Sequence, residues 1–218
     1  TVEDIAKRTT PHINLNKLKS IAVSNFEQQL SVEHFEGLDS CVITLGANLS
    51  SVGFEMHKKV EHDYVIKSAT LAREAGVKHL LVLSAVGASN DSAIPYVRLK
   101  YNMEQAVKKL LKTTTTVGQK QVITPGFETV SIFHPAMILA TGHREKTSIN
   151  ERIATVLFSN SAFNSVFPAN YKAVRVEDLA KAFEAVLEDP IAPHGAGVHY
   201  YQVPEIKQLS QQLTSKKE

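Results

Sequence analysis

The chain has 218 residues, 43% of them hydrophobic and 21% charged, which suits one α/β domain with a core of ordinary size. Its 24 basic and 22 acidic residues are interleaved, so no basic stripe exists to track a phosphate backbone, and nucleic-acid binding is set aside. A single cysteine, Cys41, cannot close an internal disulfide and fits a reducing compartment, the cytoplasm; no apolar run spans a membrane, and no amino-terminal stretch reads as a signal peptide.

Taken in order, Lys19 to Phe26 (KSIAVSNF) has an apolar centre at Ile21, Ala22 and Val23 and reads as a strand. Val32 to Leu38 reads as a short helix, and Asp39 to Leu45 as a strand running into Gly46-Ala47-Asn48. A glycine just past a strand lets the backbone approach a ligand closely, and it serves equally as turn punctuation. Phe54 to Ala75 is one long helix, with Val60, Tyr64, Ala69 and Ala72 available for its buried stripe and Gly76 as its C′ residue. His57, His62 and Asp63 share its surface, but without a fuller ligand set they read as packing and surface residues; no metal is expected.

Leu80 to Leu83 is an uninterrupted apolar run of strand length, the pattern of a strand covered on both faces, and it ends at Ser84. Ligands bind at the carboxyl ends of such strands. After a polar loop, Tyr96 and Lys100 stand four apart at the start of a helix, which puts both on one face. Lys108 to Thr116 closes that helix in basic residues and threonines, and Val117 to Gly126, without a clear period, reads as an exposed insertion. Phe127 to Phe133 alternates as a strand and leads into His134-Pro135-Ala136-Met137. A helix is expected within Ser148 to Pro168, a short strand and amphipathic helix over Tyr171 to Leu187, an edge strand at His199 to Tyr201 and a last helix over Glu205 to Leu213.

Ser84, Tyr96 and Lys100 suit proton transfer beside a hydride donor. A free phenol ionises near pH 10, so a tyrosine acts as acid or base at neutral pH when a neighbouring cation lowers its pKa. Lys100 is placed to do so, and the Ser84 hydroxyl is placed to hold a carbonyl oxygen against the phenol. Tyr-x-x-x-Lys alone is a weak pattern. Its position after Ser84-Ala85-Val86-Gly87, at the end of a strand, gives it weight.

Ser-Ala-Val-Gly-Ala followed by Tyr96-Val-Arg-Leu-Lys100 and a helix carrying Glu104 resembles the active-site segment of the short-chain dehydrogenase/reductase superfamily. The closest resemblance is to its atypical branch, that of the Tat-interacting-protein oxidoreductases and their fungal mitochondrial relatives. Lys-Val-Glu-His-Asp-Tyr resembles that branch's Lys-Val-Asp-His-Asp-Tyr, and His134-Pro135-Ala136-Met137 its Arg-Pro-Gly-x. His134 and Ala85 depart from the pattern, and with His134 any ion pair of the usual arginine is placed in doubt.

The resemblance implies a doubly wound parallel sheet, Rossmann-like and α/β in class, with 1–218 as one NAD(P)-binding domain and about 141–170 covering the substrate. It implies Ser84, Tyr96 and Lys100 as the catalytic set, acting on a small carbonyl or alcohol. Cofactor contacts fall on Lys7, Arg8, Asn25, Phe26, Leu45, Gly46, Ala47, Tyr96, Lys100, Pro135, Ala136 and Met137. Lys7, Arg8 and Pro11 match the end of the second strand, where basic residues meet an adenosine 2′-phosphate; this favours NADP(H) over NAD(H), although both side chains read equally as a solvated loop. No Gly-x-Gly-x-x-Gly turn is present, so the usual first β-α unit is expected to be missing from this chain. The same features leave a second reading: a cofactor-sensing regulator or protein-interaction partner without turnover. The branch also makes mitochondria the alternative compartment.

Overall fold

The alternation of apolar runs and amphipathic helices closes, in a computed structural model, on a parallel sheet covered on both faces. The structure describes residues 19–117, 120–139, 167–191 and 194–217. Lys7, Arg8, the expected strand at Thr1 to Pro11 and most of the 141–170 segment lie outside these residues. The chain divides into two units, 1–31 and 32–218.

In the first unit, the strand expected over Lys19 to Phe26 is replaced by loop and a one-turn helix, α1 (Phe26–Gln29). The side chain of Asn25 decides this by accepting from the Glu27 and Gln28 amides at 3.1 and 3.2 Å. Gln29 reaches back to the Ser24 and Asn25 amides at 2.9 and 3.0 Å. Asparagine favours such a cap over a ladder because its short side chain satisfies amides that a helix start leaves orphaned.

The second unit opens with a 3₁₀ turn (Val32–His34), where a helix over Val32 to Leu38 was expected, and then β1 (Ser40–Ile43). Helix α2 (Leu49–Lys58) is capped by Asn48 and passes through a π turn (Lys59–Asp63) into α3 (Tyr64–Glu74). The extra residue of the π turn rotates the inward face. Glu61 and Val65 are buried where Val60 and Tyr64 were expected, and Ala69 and Ala72 stay on the stripe. Gly76, with φ +86°, ends α3 as the C′ residue.

Then follow β2 (His79–Leu83), α4 (Pro95–Lys108), a hairpin of β3 (Thr113–Val117) and β4 (Lys120–Thr124), and β5 (Thr129–His134). The chain continues with β6 (Ile138–Leu139), β7 (Val174–Arg175), α5 (Val176–Glu188), β8 (Gly197–Gln202) and α6 (Val203–Lys217). Among the described residues the main sheet has the order β1-β2-β5-β8, all pairs parallel, with β8 at an edge. The segment read as an exposed insertion without a clear period forms, with the threonines before it, the antiparallel hairpin β3–β4. Four successive threonines are β-branched and suit a ladder even where hydrophobic alternation is absent.

Strand β2 shows why the sheet is covered on both sides. Leu80 and Val82 point to the face packed by Val65, Ala69, Met103 and Val107, while Leu81 points to the face packed by Leu179, Ala182 and Ile206. Full burial of each such side chain contributes roughly 1.5–3 kcal/mol. Cys41 belongs to the first face, and its burial pushes the thiol up to about 11, as expected of a packing residue.

Gly126 brings the chain back from the hairpin. A Cβ there would lie 2.5 Å from the Leu111 carbonyl carbon and the Lys112 nitrogen, both of them backbone atoms. Those atoms are pinned by the Lys112 amide to the Phe127 carbonyl at 2.8 Å and the Phe127 amide to the Leu110 carbonyl at 3.0 Å. Gly126→Ala is therefore expected to destabilise the fold by about 3 kcal/mol, read as a lower midpoint in urea unfolding.

Candidate active site

Helix α4 begins at Pro95, whose fixed φ and missing N–H suit the first helical position. Its inward stripe is Lys100, Met103, Glu104 and Val107, at i, i+3, i+4 and i+7. Two of these four are charged and almost fully buried, so each requires a partner.

Lys100, 2% exposed, donates from Nζ to the Leu83 carbonyl at 3.0 Å and pairs with Glu61 Oε2 at 2.7 Å. It thereby joins the carboxyl end of β2 to the π turn. The same Glu61 carboxylate accepts from the Ala47 amide at 2.9 Å through Oε1. The Ala47 carbonyl is held in turn by His57 Nδ1 at 3.0 Å, which makes Nδ1 the protonated nitrogen. A Cβ on Gly46 would meet Glu61 Oε1 at 3.2 Å, so a glycine there lets the loop lie against the carboxylate. Leu45 packs against the core below.

Tyr96 stands one turn before Lys100, with its ring centroid 5.9 Å from Lys100 Nζ and 5.7 Å from the His57 ring. Desolvation first, and the Glu61 carboxylate second, push its phenol well above the ordinary tyrosine range. The expected lowering by Lys100 is not realised, because Glu61 neutralises that ammonium. With 36% of Tyr96 exposed, water tempers the desolvation.

Ser84 ends β2 as expected, its amide donating to the Phe133 carbonyl at 2.8 Å. Its hydroxyl donates to Glu104 Oε1. A hydroxyl has one hydrogen, so while that bond stands Ser84 meets the cleft as an acceptor. It can receive the O–H of an alcohol; holding a carbonyl oxygen, as first expected of it, requires a donor. Glu104 Oε1 also accepts from His134 Nε2 at 2.8 Å, and His134 Nδ1 lies 2.8 Å from Gln202 Nε2. The chain Ser84–Glu104–His134–Gln202 thus crosses the carboxyl ends of β2, β5 and β8. Histidine at position 134 thus has a carboxylate partner in Glu104.

Pro135 and Met137 lie on the same side of the sheet. The Pro135 carbonyl accepts from the Val86 amide at 3.0 Å, the Met137 carbonyl from the Val174 amide at 2.9 Å, and Ala136 packs on the second core face. Asn25 and Phe26 belong to the first unit, in the helix described above. Among the described residues no group of three or more His, Cys, Asp or Glu is disposed to hold a metal; His62 pairs with Asp63 at 2.7 Å. Glu61 was missed by sequence reasoning because its burial depends on the π turn. Glu104 was readable, since it follows Lys100 by four residues on the same face.

A parallel sheet with helices on both faces and polar side chains gathered at its carboxyl ends defines a Rossmann-like α/β fold. Solved structures support the fold. MoeE5 in complex with UDP-glucuronic acid and NAD matches with a TM-score of 0.55 and 13% identity, over 88% of this chain and 67% of that one. The NAD-dependent NDP-hexosamine 5,6-dehydratase TunA matches at 0.53 and 14%, over 96% and 71%.

Protein HTATIP2 of Rattus norvegicus is 26% identical over 163 residues, 75% of this chain and 57% of that protein. Protein fmp52-1, mitochondrial, of Aspergillus terreus is 36% identical over 95 residues, 44% of this chain and 34% of that protein. The chain is a homologue of HTATIP2 and the fmp52 proteins, as the resemblance in its active-site segment implied, and it spans only part of their length. No family model matches it.

Proposed function

We propose that this protein is an NAD(P)H-dependent oxidoreductase of the short-chain dehydrogenase/reductase type that interconverts a carbonyl and an alcohol. The observation that carries the reading is Lys100. An ammonium buried to 2% exposure at the end of a central strand, one helical turn from a tyrosine, is costly to keep, and such buried charges gather at functional sites.

The residues fit the nicotinamide end of a dinucleotide. Gly46 and Ala47 form a backbone edge at the end of β1, and Pro135 to Met137 form another beyond β5. Lys100 has three donors, of which Glu61 and the Leu83 carbonyl take two, so one is left in number for a ribose hydroxyl. When bound, the nicotinamide would supply the hydride. Tyr96 supplies the proton, and Ser84, as an acceptor, orients the alcohol. NADP(H) is preferred over NAD(H) on Lys7 and Arg8, and the compartment is the cytoplasm, or the mitochondrion in which the fungal relatives are named.

A second reading, a cofactor-sensing protein without turnover, draws support from Lys100 being held by Glu61 and the Leu83 carbonyl. Calorimetric titration of the full gene product with NADPH and NADH, followed by carbonyl reduction assays, separates the two. Saturable binding, tighter for NADPH, with turnover of any carbonyl is expected. Binding without turnover across aldehydes, ketones and quinones would favour the sensor, and binding of neither dinucleotide would overturn both.

A further inference from the structure

Glu61 does two things at once. One carboxylate oxygen holds the Ala47 amide in the loop after β1 at 2.9 Å, and the other holds Lys100 Nζ at 2.7 Å. It is 5% exposed, and it reaches both partners because the π turn adds one residue between the faces of α2 and α3. An ordinary helix carries no such residue, and π turns gather at functional sites because inserting one weakens local hydrogen bonding. His57, on the turn before, clamps the Ala47 carbonyl, so one residue of the loop is gripped through the peptides on both its sides.

We propose that Glu61 is the positioning residue of this site: it ties the loop after β1 to Lys100 and neutralises the lysine, so that Tyr96 is kept as a protonated acid. The inference rests on the oxidoreductase reading and adds the role of Glu61 to it. In the step itself Tyr96 passes its O–H proton to the carbonyl oxygen as the C=O π pair moves onto that oxygen. A bound reduced nicotinamide would supply the hydride to the carbon, and the phenolate regains a proton from water. One carbonyl, one hydride and one proton give one alcohol. A free lysine cation beside Tyr96 would stabilise the phenolate instead and lower the pH at which Tyr96 ionises. The groups that face Tyr96 are His57 from α2, Glu61 from the π turn and Lys100 from α4 itself.

The test is the ionisation of Tyr96, followed by phenolate ultraviolet absorbance as the difference between each protein and its Tyr96→Phe counterpart. It needs neither substrate nor turnover, so its failure is separate from failure of the dinucleotide titration. Glu61→Gln keeps an acceptor for Ala47 and removes the charge. Ionisation is expected to move down by about one pH unit, tenfold more phenolate at a given alkaline pH. Glu61→Asp, which keeps the charge, is expected to ionise with the native protein. A merely structural role would lower the unfolding midpoint of both variants and leave the Tyr96 ionisation where it was, and that result overturns the proposal. If Glu61→Gln does not fold, Glu61→Gln with Lys100→Gln removes the buried pair together. Ionisation of that double variant unchanged from the native protein would support the pair acting as a neutral unit, and a rise in its ionisation would overturn it.

Discussion

Tyr96→Phe is expected to lower carbonyl reduction by roughly 10²–10⁴-fold, the span of a lost general acid, while NADPH affinity and the unfolding midpoint stay nearly unchanged. On the proposed reading the phenol of Tyr96 gives the proton: Ser84 spends its hydrogen on Glu104, and two of the three Lys100 donors are taken by Glu61 and the Leu83 carbonyl. Removing a hydroxyl from a side chain that is 36% exposed costs the fold little, because water replaces what the hydroxyl met. The ring survives in phenylalanine, so its packing near His57 survives with it. Turnover and calorimetry on the same preparation check both halves. Retained turnover would remove Tyr96 as the acid, and loss of NADPH binding would make it a binding residue.

How much of this site could be read in the sequence depended on how local its causes were. Ser84 at the end of Leu80–Leu83 was legible because a short apolar run between polar loops has the length and composition of a covered strand, and β2 is buried on both faces as that pattern requires. Tyr96 and Lys100 share a helix, as their spacing required, but that spacing is a weak pattern and drew its weight from Ser84 at the end of the strand before it. Glu61 was not, since a π turn has no sequence signature and moves the inward face from Val60 to Glu61. The direction of the Tyr96 shift failed with it, because Lys100 was taken as a free cation. Lys19 to Phe26 failed for a different reason: Ile21, Ala22 and Val23 have strand character, but Asn25 caps a helix and Ile21 is left 47% exposed. At Thr113 to Thr116 the residue type favoured a strand while the missing alternation argued against one, and residue type decided the hairpin. The partner of residue 134 lies 30 positions away across the sheet, beyond anything a local pattern carries.

Glu104→Ala is expected to be the most destabilising substitution at the site, by about 3–5 kcal/mol, the usual cost of removing one partner of a buried polar pair. Glu104 Oε1 receives the Ser84 hydroxyl and His134 Nε2–H, and all three residues are less than 9% exposed. Alanine would leave both donors without an acceptor and out of reach of bulk water, at about 1–3 kcal/mol each. For a chain of this length that corresponds to a melting temperature lower by roughly 10 °C. Glu104→Gln can place its amide oxygen where Oε1 stands and so keep both donors, losing the strength that the charge lends those bonds, and it should fall between alanine and the native protein. Histidine is held the other way round by Gln202 at 2.8 Å, so Gln202→Ala releases the far end of the chain while leaving Glu104 with both its donors. That variant should cost no more than about 1.5 kcal/mol, the net worth of a single hydrogen bond. Urea unfolding of the three variants gives the ranking directly. If Glu104→Ala cost less than Gln202→Ala, water would be reaching the chain of hydrogen bonds, and Ser84 would no longer be fixed as an acceptor.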